Sequence, residues 1–412
     1  MPKLLQINSC IKGSTGSIAQ NIGELAIEHG WESWIAYSGR EPLSESQSHL
    51  LVVGSRYVSQ LHALGTRLFD RHGLGSRSAT KELVERIKEI RPDIIHLHNI
   101  HGYYLNIEHL FNYLSISCIP VVWTLHDCWA FTGHCVHFTD VNCYKWKDKA
   151  QEHCCNCPKK KGYPTSYFLD RSKENYILKK QLFTSVKKLT IVPVSYWLGD
   201  VTSESFLGKY PINVIQNGIN INTFYPRKDR VKEVREKYGW KDKFVILGVA
   251  TGWSEDVGMS IFFKLRYSLD DQYAIVMVGL TEKQKSQLPK GITGFLRTQN
   301  ADELAEIYTA SNVLFNGSYQ ETFGLVTAEA MACGTPVIVY DSTACPEIVD
   351  NDRGRIIPVG DFGKLLEAIS SLKEMPVAEK ERMSKTCVEY VNTHLDKNYK
   401  YQEYINLYNS LL

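Results

Sequence analysis

Between Asn316 and Glu347 the chain reads NGSYQETFGLVTAEAMACGTPVIVYDSTACPE, with two carboxylates eight residues apart at Glu321 and Glu329. Thr327–Ala332 is made of good helix formers, Gly334 suits a helix terminator, and Pro336–Tyr340 has the apolar character of a buried strand. Glu321 therefore falls in a loop, Tyr319–Gly324, and Glu329 on the helix that follows it. Backbone N–H groups at a helix start have no partner inside the helix, so such a start binds anions. One carboxylate then reaches a bound ligand from the loop while the other faces it from the helix. Each glutamate also has a plainer role open to it, Glu321 as a helix cap and Glu329 as a solvated helix residue. The flanking Thr322-Phe323-Gly324 and Ala332-Cys333-Gly334-Thr335-Pro336-Val337 favour the ligand site.

Three further groups carry chemistry in the first half. Gly13-Ser14-Thr15-Gly16-Ser17 follows an apolar run and opens a helical pattern. It permits close backbone approach, which assigns Gly16 to a phosphate or acceptor contact, against the alternative of an ordinary strand-to-helix turn. His126-Asp127 stands at the carboxyl end of the strand Pro120–Thr124, where α/β sheets bind ligands. Imidazole donates or accepts a hydrogen bond near neutral pH, so His126 is a candidate catalytic residue. His96 and His98 alternate on a strand and share a face, with His101 close behind. They either line an acceptor pocket or serve the core and surface. Cys135, Cys143, Cys154 and Cys157 form C-x7-C-x10-C-x2-C, whose last pair has the short bite that suits a structural zinc. Cys128, Cys155, His134, His137 and His153 are alternative ligands, and a set of free buried thiols is the competing account. Lys159-Lys160-Lys161 follows directly. Such a run is ordinarily a solvated face, and near an anionic membrane it supplies ~1 kcal/mol per lysine.

The elements that position these groups alternate between strand and helix. Lys3–Ile7, Trp34–Tyr37, Leu50–Val53, Asp93–Leu97, Pro120–Thr124 and Ile191–Ser195 read as strands, with helices over Ser17–Gly30, Thr80–Ile90 and Asp170 to about Phe183. The same alternation resumes at Phe244–Val249 and runs through Ala274–Val278, Val313–Phe315 and Pro336–Tyr340. This predicts an α/β protein of two Rossmann-like domains facing a cleft. The first covers 1–216 with a Cys-rich insertion over 127–168, the second 217–385, and the last helices, 386–412, are expected to pack back on the first. With 412 residues, 43% hydrophobic and 22% charged, both halves can bury a core. A net charge of +2 gives no bulk drive toward nucleic acid. The N-terminus lacks a signal-peptide pattern and no run approaches a membrane span. The expectation is a cytoplasmic protein, with peripheral contact at the inner face of the membrane.

The segment E-T-F-G-L-V-x-x-E-A-M-A-C-G-T-P-V-I resembles the donor-site signature of glycosyltransferase family 4, whose fold is GT-B. Gly13–Ala19, Asn217-Gly218 and Arg297-Thr298-Gln299-Asn300 with Glu303-Leu304 extend the resemblance over nearly the whole chain. T-L-H-D-C-W-A-F-T-G-H-C at 124–135 is similar to the colanic-acid type of polysaccharide-cluster transferase. The resemblance implies a retaining, metal-independent transfer from a nucleotide-sugar donor to a glycan or lipid-linked glycan acceptor. It implies that Glu321 contacts donor-sugar hydroxyls and Glu329 the ribose. Backbone N–H groups at Phe323, Gly324 and Leu325, beside Thr322, would lie near the diphosphate, and His126 beside the reacting sugar. No catalytic cofactor is implied; the diphosphate must then be stabilised by protein donors.

The chain departs from the family at Thr251–Gly258. Val257 stands where many relatives have lysine, no arginine precedes it nearby, and Glu255 and Asp256 add negative charge. Arg297 is the candidate for compensation. The competing account is a weakened relative that binds sugar or nucleotide without turnover. A dinucleotide-dependent oxidoreductase or epimerase ranks below both, since the first loop lacks Gly-x-Gly-x-x-Gly.

Overall fold

The computed structural model describes residues 1–42, 45–254 and 257–412. The chain divides into two units, Met1–Gln216 with Tyr401–Leu412, and Asn217–Lys400.

The first unit is built on six parallel strands: β1 (Lys3–Asn8), β2 (Glu32–Ser38), β3 (His49–Val53), β4 (Ile94–Leu97), β5 (Val121–Leu125) and β6 (Leu189–Pro193). Their order is β3-β2-β1-β4-β5-β6. Strands β4, β5 and β6 are buried throughout, as a parallel sheet covered by helices on both faces requires. The order reverses between β1 and β4, so a crevice opens at the carboxyl ends of those strands. The helix after β1 starts at Gly13 and runs to Glu28, so Gly13–Ser17 is a first helical turn rather than a loop. The turn itself is Ser9–Lys12. Gly16 sits against it: a Cβ there would stand 2.4 Å from the Ile11 backbone carbon. Packing against that turn requires glycine there.

The C-terminal helix Lys397–Leu411 sends Tyr401, Tyr404, Ile405 and Tyr408 into the core of the first unit, against Ile22 and Ile94. Tyr408 Oη is 2.6 Å from His96 Nδ1, and Thr124 Oγ1 lies 2.8 Å from His96 Nε2. His96 is thus a satisfied core residue. The preceding helix, Val377–His394, keeps Met383 in the core of the second unit, so the change of unit falls at Lys400, not near 385. Between Asp127 and Arg171 there is no strand, only a short 3-10 turn at Thr139–Val141. Polar groups from outside hold this segment. Lys179 Nζ donates to the carbonyls of Trp129 and Thr132 at 2.8 and 3.0 Å, and Asp70 accepts from Arg171 N at 2.7 Å.

The second unit repeats the plan with β7 (Phe244–Val249), β8 (Tyr273–Val278), β9 (Ile292–Phe295), β10 (Val313–Asn316), β11 (Val337–Tyr340) and β12 (Gly354–Ile357). All are parallel, in the order β12-β11-β10-β7-β8-β9. The reversal here lies between β7 and β10. Among the described residues no helix is long and apolar enough to cross a membrane.

Tyr408 is fully buried between the last helix and the first sheet. Tyr408→Ala is expected to cost about 3–5 kcal/mol of stability, as large aromatic deletions do. Urea unfolding followed through the first-unit tryptophans measures it, and a cost below ~1 kcal/mol would place the helix outside the folded core.

Candidate active site

In the second unit, β10 ends at Asn316 and the chain loops through Tyr319–Gly324 into the helix Leu325–Ala332. Gly324 caps that helix with φ +90°, a left-handed conformation that a side chain disfavours. Thr322, Phe323, Gly324 and Leu325 thus lie together at one helix start, with Glu329 one turn on. The loop is held from both sides. Asn316 Nδ2 donates to Thr327 Oγ1 at 3.1 Å, and its Oδ1 accepts from Ser318 N at 3.1 Å. From the turn after β11, Thr343 Oγ1 accepts from Glu321 N at 2.9 Å and Ser342 Oγ donates to Tyr319 O at 2.7 Å.

Both glutamates are only partly accessible. Burial raises the Glu321 carboxyl, and side-chain hydrogen bonds from Ser318 and Asn316 partly offset that. Burial raises Glu329 from 4.5 to about 7, opposed by Tyr308, whose hydroxyl donates to Oε2 at 3.1 Å. A carboxylate so placed is poised to take hydroxyl donors from a ligand, which would favour its charged form.

The loop after β7 comes against the same place. A Cβ on Gly258 would stand 2.7 Å from the Gly317 carbonyl oxygen. Gly258 also caps the helix Met259–Ser268, so that helix starts against the loop after β10, at the β7–β10 reversal. Val257, at the position of the missing lysine, lies in this loop; Glu255 and Asp256 lie outside the described residues. Arg297 is exposed beyond β9. Strand order places it three positions, roughly 14 Å of sheet, from β10.

In the first unit, one cavity is lined by His98, His101, His126 and Asp127 at the ends of β4 and β5. Its hydrogen bonds fix the imidazole tautomers. Gln6 Nε2 donates to Ala19 O at 2.7 Å, so Gln6 Oε1 must accept from His98 Nε2 at 3.1 Å. His98 Nδ1 is then the acceptor for His126 Nε2–H at 3.1 Å. Neutral His126 therefore carries its proton on Nε2, and burial lowers its pKa to about 4, so it is neutral at physiological pH. Beside it, His101 Nε2 lies 2.8 Å from Asp127 Oδ2 and His101 Nδ1 lies 3.1 Å from Tyr163 Oη. Despite the cost of its burial, Asp127 is held at about 2, chiefly by His101.

Tyr163, from the Cys-rich segment, and Tyr308, from the helix before β10, were not foreseeable. Each is more than twenty residues from its partner, and neither carries a local signal. Gly16 lies in the first turn of the Gly13–Glu28 helix, at the end of β1. Cys135, Cys143, Cys154 and Cys157 converge on one cavity. Among the described residues, however, no three His, Cys, Asp or Glu side chains are set to hold a metal ion. All eleven cysteines are free, Cys154 accepts from Gly133 N at 3.3 Å, and burial pushes its thiol up to about 12. Of the alternative ligands, His134 is bonded to Asp70 and His153 stacks on Tyr176. The four thiols thus share one cavity, as the short Cys-x2-Cys bite and its two partners suggested, with no disulfide among them.

Residues 16–223 match the family described as Glycosyltransferase Family 4, and residues 228–389 that described as Glycosyl transferases group 1. The chain is 24% identical over 377 residues to an Escherichia coli (strain K12) protein described as "Putative colanic acid biosynthesis glycosyl transferase WcaC", spanning 88% of this chain and 89% of that one. Its fold is similar to sucrose-phosphate synthase from Thermosynechococcus elongatus, at a TM-score of 0.74 and 16% identity over 100% and 99% of the two chains. It is also similar to Anabaena Alr3699/HepE, solved in complex with UDP-glucose, at a TM-score of 0.69 and 15% identity over 99% of each chain.

The raised pKa of Glu329 has a stability consequence. Between pH 4.5 and about 7 the native carboxyl keeps its proton while the unfolded one releases it. Stability therefore falls as pH rises through that window, by at most about 3 kcal/mol. Glu329→Gln does not titrate. Its stability relative to the unaltered protein should grow from pH 4.5 to about 7 and then level off in urea unfolding; a constant difference would show that Glu329 is not desolvated.

Proposed function

Because this chain belongs to glycosyltransferase family 4 and has the GT-B fold, we propose that it moves a sugar from a nucleotide-sugar donor to a glycan or lipid-linked glycan acceptor, with retention of configuration, in cell-surface polysaccharide synthesis. The observation that carries this is the β10 loop and helix. Two partly buried carboxylates, Glu321 in the loop and Glu329 one turn into the helix, accompany a glycine-capped helix start there.

In this account the donor diphosphate is received by backbone N–H groups at Phe323, Gly324 and Leu325. Fixed dipoles cost no reorganisation when charge develops on the leaving diphosphate, so no metal is called on. Glu329 accepts from the ribose hydroxyls and Glu321 from hydroxyls of the transferred sugar. Gly16, packed against the Ser9–Lys12 turn, lets the helix start close on the crevice beyond β1, where donor phosphate or acceptor is received. His126, neutral and with its Nε2–H directed to His98, stands with His101 and Asp127 in the first-unit cavity, where it meets the reacting sugar and acceptor. The likeness to the colanic-acid protein of Escherichia coli supports the polysaccharide role. The bound UDP-glucose of the Anabaena structure supports a nucleotide-sugar donor.

Val257, where relatives have lysine, favours one second account: a protein that binds the donor without turning it over. Donor hydrolysis in the absence of acceptor separates the two, since a binding module consumes none. Elemental analysis of the purified chain addresses the thiol cluster independently; one zinc per chain would assign the four cysteines as its ligands, and none would leave them as free buried thiols.

A thermal-shift screen against UDP, GDP and ADP and their sugar conjugates tests the donor site. Selective stabilisation by one base is expected. Affinity should rise as pH climbs past 7 and Glu329 ionises, and Glu329→Ala should weaken it roughly 10–100-fold, the value of a charge-assisted hydrogen bond. Glu321→Gln should lower turnover with little change in nucleotide affinity. Stabilisation by none of the nucleotides would overturn the proposal.

A further inference from the structure

The helix Arg56–Phe69 is turned inside out. Its buried residues are Ser59, His62 and Thr66, all polar. A surface helix ordinarily lays its apolar stripe on the core. Here Tyr57, Leu61, Leu64 and Phe69 project outward instead. The inverted orientation is fixed by specific bonds. His62 Nε2 accepts from Gly73 N and Gly75 N at 3.2 Å each, and Nδ1 lies 3.0 Å from Ser76 Oγ. Thr66 Oγ1 donates to the His62 carbonyl at 3.0 Å. Rolling the helix to hide its leucines would break the three His62 contacts to Gly73, Gly75 and Ser76.

The outward face continues beyond the helix. Tyr167 N donates to Arg67 O at 2.8 Å, which brings the segment Tyr167–Leu169 to the same edge. The seven apolar side chains of the helix face and this segment are each 45–69% exposed. Scattered exposed apolar residues are ordinary, but a contiguous group on a rigid frame marks an interaction surface. Beside the helix an open groove of about 670 Å³ is lined by Leu61, Phe69 and Leu74, with Arg71 and Arg77 among its walls.

The helix and the loop and helix start that follow it are rich in arginine. From Ser46 to Lys81 the chain carries Arg56, Arg67, Arg71, Arg77 and Lys81 against a single acid, Asp70. Asp70 is buried and engaged by His134 and Arg171 N. The four arginines are exposed, and only Arg77 has an acidic neighbour, Glu108 at 3.7 Å, among the ion pairs of the described residues. The lysine run does not supply the charge in the same way: Lys159 is paired with Asp140, and Lys160 donates to the Phe168 carbonyl.

We propose that this face seats on an anionic phospholipid surface. Exposed aromatic and leucine side chains enter the headgroup boundary while the arginines meet lipid phosphates. A second copy of the chain is the weaker occupant, because a two-fold interface would set the arginines of one copy against those of the other. The inference deepens the proposed function by giving a lipid-linked acceptor a place of approach, and rests on that reading only for its purpose.

Vesicle co-sedimentation of the full chain tests it. Binding is expected to vesicles of phosphatidylglycerol with phosphatidylcholine, to weaken with added salt, and to be absent with phosphatidylcholine alone. Leu61→Glu with Leu64→Glu should reduce binding at least tenfold, as should Tyr167→Ser with Phe168→Ser at a separate place on the face. All four positions are exposed, so unchanged melting curves are expected. Equal binding by both double variants, or no binding by the unaltered protein, would overturn the proposal. So would a dimer in solution that either variant dissociates. The nucleotide shift measured on the same preparations keeps the two claims apart. Lost lipid binding with intact nucleotide response concerns only this surface, whereas an absent nucleotide response concerns only the donor site.

Discussion

A carboxyl group closed in by protein must find hydroxyl or amide donors, a cation, or a proton. In the second unit Glu329 has one phenol and Glu321 has the side chains of Ser318 and Asn316. That leaves both short of full compensation, which is why both are raised. A ligand rich in hydroxyls supplies what is missing. The surrounding architecture serves the same end. Tyr308 comes from the helix before β10, Thr343 and Ser342 from the turn after β11, and Gly258 from the loop after β7. Three neighbouring strands thus converge on one loop, and the order β11-β10-β7 makes that convergence possible.

The first unit answers a different demand, that of setting the proton on an imidazole. A backbone carbonyl orients Gln6, Gln6 orients His98, and His98 orients His126. Each member is buried or half-buried, so each bond is firm and each ring neutral. The strands that carry these residues are backed by the last helix of the chain, through Tyr404 at Thr124 and Tyr408 at His96. Residues more than two hundred positions away therefore steady the site.

Much of this was legible in the residues alone. The strand–helix alternation foretold two parallel sheets, because period and length distinguish buried strands from helices. The Glu321–Glu329 segment foretold its own loop and helix, because caps, terminator and strand follow one another locally. What escaped was non-local. Tyr308 and Tyr163 meet their partners only through the fold. Gly13–Ser17 read as a loop, yet the helix begins at Gly13, since Ser9–Lys12 already makes the turn. His96 shared a strand face with His98, but the arrival of Tyr408 from the far end of the chain made it a core residue. The four clustered cysteines do come together in one cavity, as their spacing suggested.

Hydrogen–deuterium exchange of the full chain, with and without a saturating nucleoside diphosphate, tests the central claim most directly. If the β10 loop and its helix hold the donor, amide exchange across 319–334 slows on binding, most at Phe323, Gly324 and Leu325. Unchanged exchange in that segment, with protection appearing elsewhere, would contradict the assignment of the donor site.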